Sequence, residues 1–379
     1  MNYSSLTRAA FVLDEAAFRQ NLQHISEVAK QADVDIILAL KAYSFWPTFD
    51  LVGEYLAGAT ASSLYEAKLV FEHMGVKPHV YVPAYVPDEF DEISKFAHQL
   101  TFNSLSELER YRDHWQSTKL SVGLRVNPMY SDVETALYNP ASPTGRLGVP
   151  IDELPHVLPT GIHGVHVHSL CESPAKSTAT LLKKIENDLS HWLHQLKWLN
   201  LGGGHLMTKE GYETDVLIQA LQGFRKRYPH IEVILEPGSA HAWQTGVLVA
   251  HVLDLVKSHG RTTAMLDVSF TCHMPDTLEM PYQPTVRGAS TVGPETAGAA
   301  VYHLGGVSCL AGDNVGAYKF ETPLEVGQQI IFEDMLHYTA VKTTTFNGVQ
   351  HPDLAIKRRD GSIEIIRRFS FADYESRLG

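Results

Sequence analysis

The sequence predicts an α/β fold: a (β/α)8 barrel of the TIM type followed by a β-rich domain. Three observations carry this. Short apolar or β-branched runs alternate with amphipathic helical stretches from residue 35 to about residue 240, the runs number eight, and helical periodicity fades beyond residue 245. The runs cover residues 35–40, 59–63, 79–84, 100–104, 121–126, 164–169, 198–203 and 233–238. Before the first lies Glu15–Ala32, with Phe18, Leu22, Ile25 and Val28 on one face, which reads as a helix. Between the runs, Ser63-x-x-Glu66 and Ser104-x-x-Glu107 have capping-box spacing, and Gly75 is a stop signal. Segments 247–255, 299–304 and 328–332, separated by turn residues, read as strands of the second domain. The expected division is a barrel over 12–245 and a β-rich domain over 246–379 joined by residues 1–11.

Composition narrows the function classes. At 379 residues the chain exceeds one compact core, and 44% apolar with 20% charged residues is ordinary for a globular protein. No run of eighteen apolar residues and no basic start followed by an apolar stretch is present, so neither a membrane span nor a signal peptide is expected, and a cytoplasmic location is. Cys171, Cys272 and Cys309 are odd in number and never spaced C-x-x-C, which argues against a disulfide framework and a thiolate zinc site. A net charge of −12 without a basic stretch argues against nucleic acid and favours a cationic partner or substrate.

Barrel enzymes place their chemistry at the C-terminal ends of the strands. Here the first run ends at Lys41, the sixth carries His166 and His168, the seventh opens into Gly202-Gly203-Gly204, and the eighth ends at Glu236-Pro237-Gly238. A lysine delivered by a buried strand has a lowered pKa, and its neutral amine can form a Schiff base with an aldehyde. Three glycines let backbone N–H groups approach an anion. Singly, each has a plainer reading: a snorkelling lysine, core histidines, a tight turn, a solvated carboxylate. Their placement on one rim argues for a site. Beyond the barrel, the segment from Gly305 to Asp313 reads as a loop presenting the Cys309 thiol and the Asp313 carboxylate four residues apart, and Tyr338 follows the acidic strand end Glu333-Asp334.

These landmarks, in this order, resemble the fold-type III pyridoxal-phosphate decarboxylases, the group of ornithine, diaminopimelate and carboxynorspermidine decarboxylases, whose barrel is of the alanine racemase type. The likeness spans nearly the whole chain. Ser169-Leu170-Cys171-Glu172 and the block from His273 to Tyr282 look most like the carboxynorspermidine (carboxyspermidine) branch. The resemblance implies that Lys41 holds pyridoxal 5'-phosphate as a Schiff base and that Glu236 pairs with the pyridine nitrogen. It implies His168 stacked on the ring, and Gly203, Gly204, Gly238 and Tyr338 at the phosphate. Cys309 would protonate the intermediate left after carbon dioxide departs, and Asp313 would hold the substrate's distal amine. Arg146 matches a position beside the site, with a surface helix-start arginine as the plain alternative. His166 has no assigned role, and His163 reads as structural. Family members form head-to-tail homodimers, so the Cys309 loop is expected from the partner subunit.

Departures from the pattern bear on substrate. Where diaminopimelate decarboxylases carry Arg after Glu-Pro-Gly, this chain has Ser239, and residues 267–284 contain no lysine or arginine but offer Asp276 and Glu279. A site with carboxylates in place of cations favours a substrate with a positive far end, because an unpaired buried charge is costly. Carboxynorspermidine and carboxyspermidine fit, giving norspermidine and spermidine in polyamine biosynthesis. Leu310 rather than aspartate follows Cys309, leaving room for a tail longer than ornithine or lysine provides. The alternatives are a diaminopimelate or other basic amino-acid decarboxylase, a racemase on the same scaffold, a non-catalytic cofactor-binding barrel, and a zinc-dependent barrel hydrolase using His166-x-His168. The racemase would need a tyrosine base where Cys309 stands. The binding barrel would lack the second domain. The hydrolase would carry its histidine pair on the first strand.

Overall fold

The computed structural model describes residues 3–296 and 298–379. The chain forms two compact units, Gln20–His241 and the pairing of Met1–Arg19 with Ala242–Gly379. β1 (Ala10–Asp14) belongs to the second of these.

The first unit is a ring of parallel strands. These are β2 (Asp35–Ile36), β3 (Leu38–Ala39), β4 (Ala59–Ala61), β5 (His79–Tyr81), β6 (Gln99–Phe102), β7 (Ser121–Asn127), β8 (Val149–Pro150), β9 (Gly164–His166), β10 (Trp198–Asn200) and β11 (Glu232–Leu235). They run in the order β2-β11-β10-β9-β7-β6-β5-β4-β3, with β8 extending β7. The first predicted run is broken at Ile37, and this break closes the barrel. Asp35 and Ile36 pair with Ile234 and Leu235 on one side, and Leu38 and Ala39 pair with Ala59 and Thr60 on the other. The Ile37 amide donates to Leu235 O (2.9 Å) and the next, Leu38, to Gly58 O (3.0 Å), so successive amides face opposite neighbours. Glycine in β7 and β9 makes room for the indole of Trp198: a Cβ on Gly123 or Gly164 would meet its ring at 2.1 or 1.9 Å.

The helix signals hold. Ser63 and Ser104 cap their helices by accepting the amides of Glu66 and Glu107, each at 3.1 Å. The two carboxylates reach back one residue further than in the standard box, to the amides of Ser62 and Asn103. Gly75 ends its helix at φ +71°. Helix Glu15–Ala32 buries Phe18, Leu22, Ile25 and Val28 as its spacing predicts.

In the second unit, β12 (Gly246–Ser258), β13 (Arg261–Leu266), β14 (Ala289–Val292), β15 (Val301–Gly305), β16 (Asn314–Phe320), β17 (Gln329–Glu333), β18 (Asp353–Lys357) and β19 (Ile363–Arg367) form a mixed sheet with β1. Its order is β14-β16-β15-β13-β12-β1-β18-β19, with β17 also on β12. Period-two alternation sends Phe11, Leu248, Ala250 and Val252 to one core and Ala10, Val12, Val247 and Val249 to another. Among the described residues no helix is long and apolar enough to cross a membrane.

His251 fastens β12 to its surroundings. Its Nδ1 lies 2.9 Å from Asp267 Oδ2, and its Nε2 lies 3.1 Å from Leu6 O and 3.2 Å from Gln329 Nε2. The hydrogen bond to Asp267 raises its pKa above the usual histidine value, with burial opposing. A raised folded-state pKa stabilises fully below the unfolded value and loses that contribution as pH rises through the folded one. The melting-temperature deficit of His251→Asn is therefore expected to be largest near pH 5–6 and to shrink above neutrality. A deficit independent of pH would contradict the charged pair.

Candidate active site

The barrel strands end in a ring of chemically active side chains. Lys41 stands two residues past β3, where a tight turn returns the amides of Ala42 and Tyr43 to Ala39 O. The turn is braced by the buried Tyr43 hydroxyl, 2.9 Å from Thr48 Oγ1. Burial pulls the Lys41 ammonium pKa down; Glu236 and Glu66 oppose this and Arg125 adds to it. A lysine so placed is predisposed to the neutral, nucleophilic form.

Glu236 directly follows β11 and is buried. Its Oε2 accepts from Asn200 Nδ2 (3.0 Å), and its Oε1 lies 3.3 Å from His166 Nε2. Burial raises its pKa, but the neighbouring His166, with Lys41 and His168, outweighs that and holds the carboxyl well below the usual range. His166 is itself shifted down by burial, with Glu236 opposing.

His168 lies two residues past β9. Its Nδ1 accepts the Gly203 amide at 2.9 Å, fixing the Nε2–H tautomer and the ring plane. Burial, reinforced by Lys41 and Arg125, lowers its pKa well below the usual value, so the ring is neutral. The Gly203 N–H, expected at the phosphate, thus has the imidazole as its partner. The turn itself demands glycine. A Cβ on Gly202 (φ +68°) would strike His168 at 2.5 Å, and one on Gly204 (φ +96°) would strike the Leu170 backbone at 2.4 Å. Gly238 is buried just beyond Glu236, ahead of the short turn Ser239–His241.

Four participants went unassigned at the level of sequence. Arg125, 3% exposed, sits 4.6 Å over the Tyr81 ring and donates to His168 O at 3.3 Å. Its signal was a lone charge inside an apolar strand, Ser121–Asn127. Tyr81 packs edge-on to His166 at 5.3 Å and donates its hydroxyl to Asn103 (2.8 Å). Asn103 in turn donates to Arg146 O at 2.9 Å, which ties the Arg146 loop to the barrel although the guanidinium is exposed. Asn200 is the fourth.

The expected residues of the sheet unit divide in two. Cys309 is exposed on its loop, with its amide donating to Asn347 Oδ1 at 2.8 Å. Asp313 is 5% exposed, and its two oxygens accept the amides of Thr271 (3.1 Å) and Ser308 (3.0 Å). The loop thus presents the thiol but turns the carboxylate inward, where it holds the loop's shape. Asp276 Oδ2 accepts from the Tyr282 (2.9 Å) and Thr339 (2.8 Å) hydroxyls, while its buried Oδ1 has no hydrogen-bond partner among the described residues. Glu279 is exposed and paired with Lys342. Tyr338 lies in the turn after β17, in the left-handed region at φ +50°. Among the described residues no three His, Cys, Asp or Glu side chains gather as a metal would need, so the histidine pair on and after β9 lacks a third ligand.

The family model described as pyridoxal-dependent decarboxylase, C-terminal sheet domain, matches residues 10–335. The chain belongs to the pyridoxal-dependent decarboxylases. This decarboxylase is 50% identical to the carboxyaminopropylagmatine decarboxylase of Synechocystis sp. over 99% of its length and 96% of the relative's. It is 38% identical to the carboxynorspermidine/carboxyspermidine decarboxylase of Campylobacter jejuni, with both chains covered in full. The crystal structure of carboxynorspermidine decarboxylase from Campylobacter jejuni, complexed with norspermidine, superposes with a TM-score of 0.91 at 37% identity, covering 98% of this chain and 100% of that one. The diaminopimelate decarboxylase of Helicobacter pylori shares the fold at a TM-score of 0.82 and 19% identity, with 100% and 99% covered. The decarboxylase uses pyridoxal phosphate and acts on a carboxy-polyamine. The barrel rim fits such a cofactor: it gathers a buried lysine with a lowered pKa, a carboxylate held ionised, a fixed imidazole plane, and a turn on which any side chain would collide.

Proposed function

We propose that the chain decarboxylates a carboxy-aminopropyl polyamine whose far end is a guanidinium, the carboxyaminopropylagmatine class. The observation that carries this is the 50% identity, over 99% of the chain, to a relative named for that activity, against 38% for the carboxynorspermidine/carboxyspermidine relative. The sequence-based expectation of carboxynorspermidine remains as the second reading, favoured by the match to the norspermidine-bound structure. Both substrates share the α-amino acid head and a cationic tail and differ in the terminal group. The experiment is kcat/KM for the two side by side: a clear preference for the guanidinium substrate supports the first reading, and a preference for carboxynorspermidine reverses the order.

Bound pyridoxal phosphate supplies the electron sink into which the carbon–carboxylate bond breaks. Lys41 would hold the cofactor through its amine, which burial predisposes to the neutral form. Glu236, held ionised by His166, Lys41 and His168, would pair with the pyridine nitrogen and strengthen that sink. His168, neutral and fixed by the Gly203 amide, would lie against the ring. Gly204, Gly238 and Tyr338 would hold the phosphate, and Arg146 would border the site. Cys309 would hold the proton to be delivered to the α-carbon. Its exposure, together with that of Val307 and Leu310 on the same loop, supports a site completed in a homodimer.

The unpartnered Asp276 Oδ1 supports this residue, ahead of Glu279 and the inward-facing Asp313, as the acceptor for the tail cation. A neutral isostere loses a charge-assisted hydrogen bond. Asp276→Asn is expected to raise KM roughly 10- to 100-fold and leave kcat within about threefold. An unchanged KM would remove Asp276 from the substrate.

A further inference from the structure

We propose that Asn200 is a positioning residue that locks the Glu236 carboxylate to the glycine turn, so that the groups meeting opposite ends of the cofactor are held as one unit. The inference rests on the reading of Glu236 as the partner of the pyridine nitrogen. Asn200 is the last residue of β10 and is buried. Its Nδ2 donates to Glu236 Oε2 at 3.0 Å and its Oδ1 accepts the Gly202 amide at 2.8 Å. The amide cannot flip, because the reverse orientation would set two donors against each other on one side and two acceptors on the other. The Glu236 amide closes the loop by donating to Gly202 O at 2.9 Å, and a Cβ on Gly203 would lie 2.8 Å from Glu236 O. Carboxylate and turn are thus joined through both backbone and side chain, and among the described residues Asn200 is the only side chain with a bond to each.

Asparagine suits this place better than aspartate. The groups facing Glu236 are His166 and His168 on and after β9, Lys41 after β3, Arg125 on β7 and His79 on β5. They favour a single anion, and Asn200 orients it without adding a second. Aspartate would keep the acceptor for Gly202 but set a carboxylate against Glu236 Oε2, raising the pKa of the pair. The two bonds of Asn200 can therefore be separated by mutation.

The test measures the pyridoxal-phosphate dissociation constant of full-length Asn200→Asp, Asn200→Ala and Glu236→Gln proteins by dialysis from pH 5 to 8, with melting temperatures alongside. The expected result for Asn200→Asp is affinity weaker by roughly 10- to 100-fold, with its acid limb at higher pH than in the wild type and little change in melting temperature. Asn200→Ala, which loses both bonds, is expected to bind more weakly still without the shift of the acid limb. Asparagine acting only as a turn brace would leave Asn200→Asp like the wild type in affinity and pH profile, which overturns the inference if Glu236→Gln is impaired. Wild-type affinity in Glu236→Gln overturns the reading of Glu236 itself, and the inference with it. If Asn200→Asp fails to fold, an Asn200→Ala protein with wild-type affinity overturns the inference, and weakened binding in Asn200→Ala at wild-type melting temperature upholds it.

Discussion

Lys41→Ala is expected to lower decarboxylation roughly 10³-fold or more and to abolish the visible band of the covalently held cofactor. The side chain emerges where β3 ends, and burial lowers its pKa. Alanine removes the amine that is proposed to hold the cofactor. Glu236, His168 and the glycine turn remain, so the variant should still retain the cofactor non-covalently, seen as a phosphate-dependent complex that borohydride does not fix to protein. A band that borohydride still reduces onto the chain would assign the covalent link to another residue.

Cys309→Ala carries the second large effect, a fall in kcat on the order of 10²- to 10⁴-fold with KM nearly unchanged. In the proposed role of Cys309 as the acid, its proton is needed only after substrate is bound, so its loss should not weaken binding. The thiol is exposed, and its loop keeps its shape without it, through Asp313 on the Thr271 and Ser308 amides and Asn347 on the Cys309 amide. Equal losses in kcat/KM and in cofactor content would make Cys309 structural. If sites are completed across a homodimer, mixing Lys41→Ala with Cys309→Ala subunits should restore part of the activity. No recovery after proven subunit exchange would place each site within one chain.

Much of the barrel was legible because its signals are local. Apolar runs of strand length, capping serines and the stop at Gly75 each act within a few residues, and Lys41 and Glu236 were readable as the residues that end their strands. The break at Ile37 was not, since it arises where one strand must bond to Leu235 on one side and Gly58 on the other, two positions far apart in sequence. The same applies to β1, whose residues look unremarkable until β12 and β18 flank them.

Within the site, residue type showed chemistry but not allegiance. The resemblance implies Asp313 at the substrate's distal amine, and packing sets its oxygens on the amides of Thr271 and Ser308. It implies Gly203 at the phosphate, and that amide donates to His168 Nδ1. Arg125 and Asn200 serve through contacts with residues some forty positions away or nearly so, such as His168 and Glu236. Hydrogen-bond commitments of this kind are fixed by tertiary packing, and no local pattern encodes them.

This barrel removes carbon dioxide from a carboxy-polyamine. The direct measurement is carbon dioxide release by purified, pyridoxal-phosphate-loaded protein offered carboxyaminopropylagmatine, carboxynorspermidine, carboxyspermidine, diaminopimelate, ornithine and lysine in parallel. Release is expected from the carboxy-polyamines at kcat/KM values far above the other three, and preferential release from diaminopimelate, ornithine or lysine would overturn that assignment.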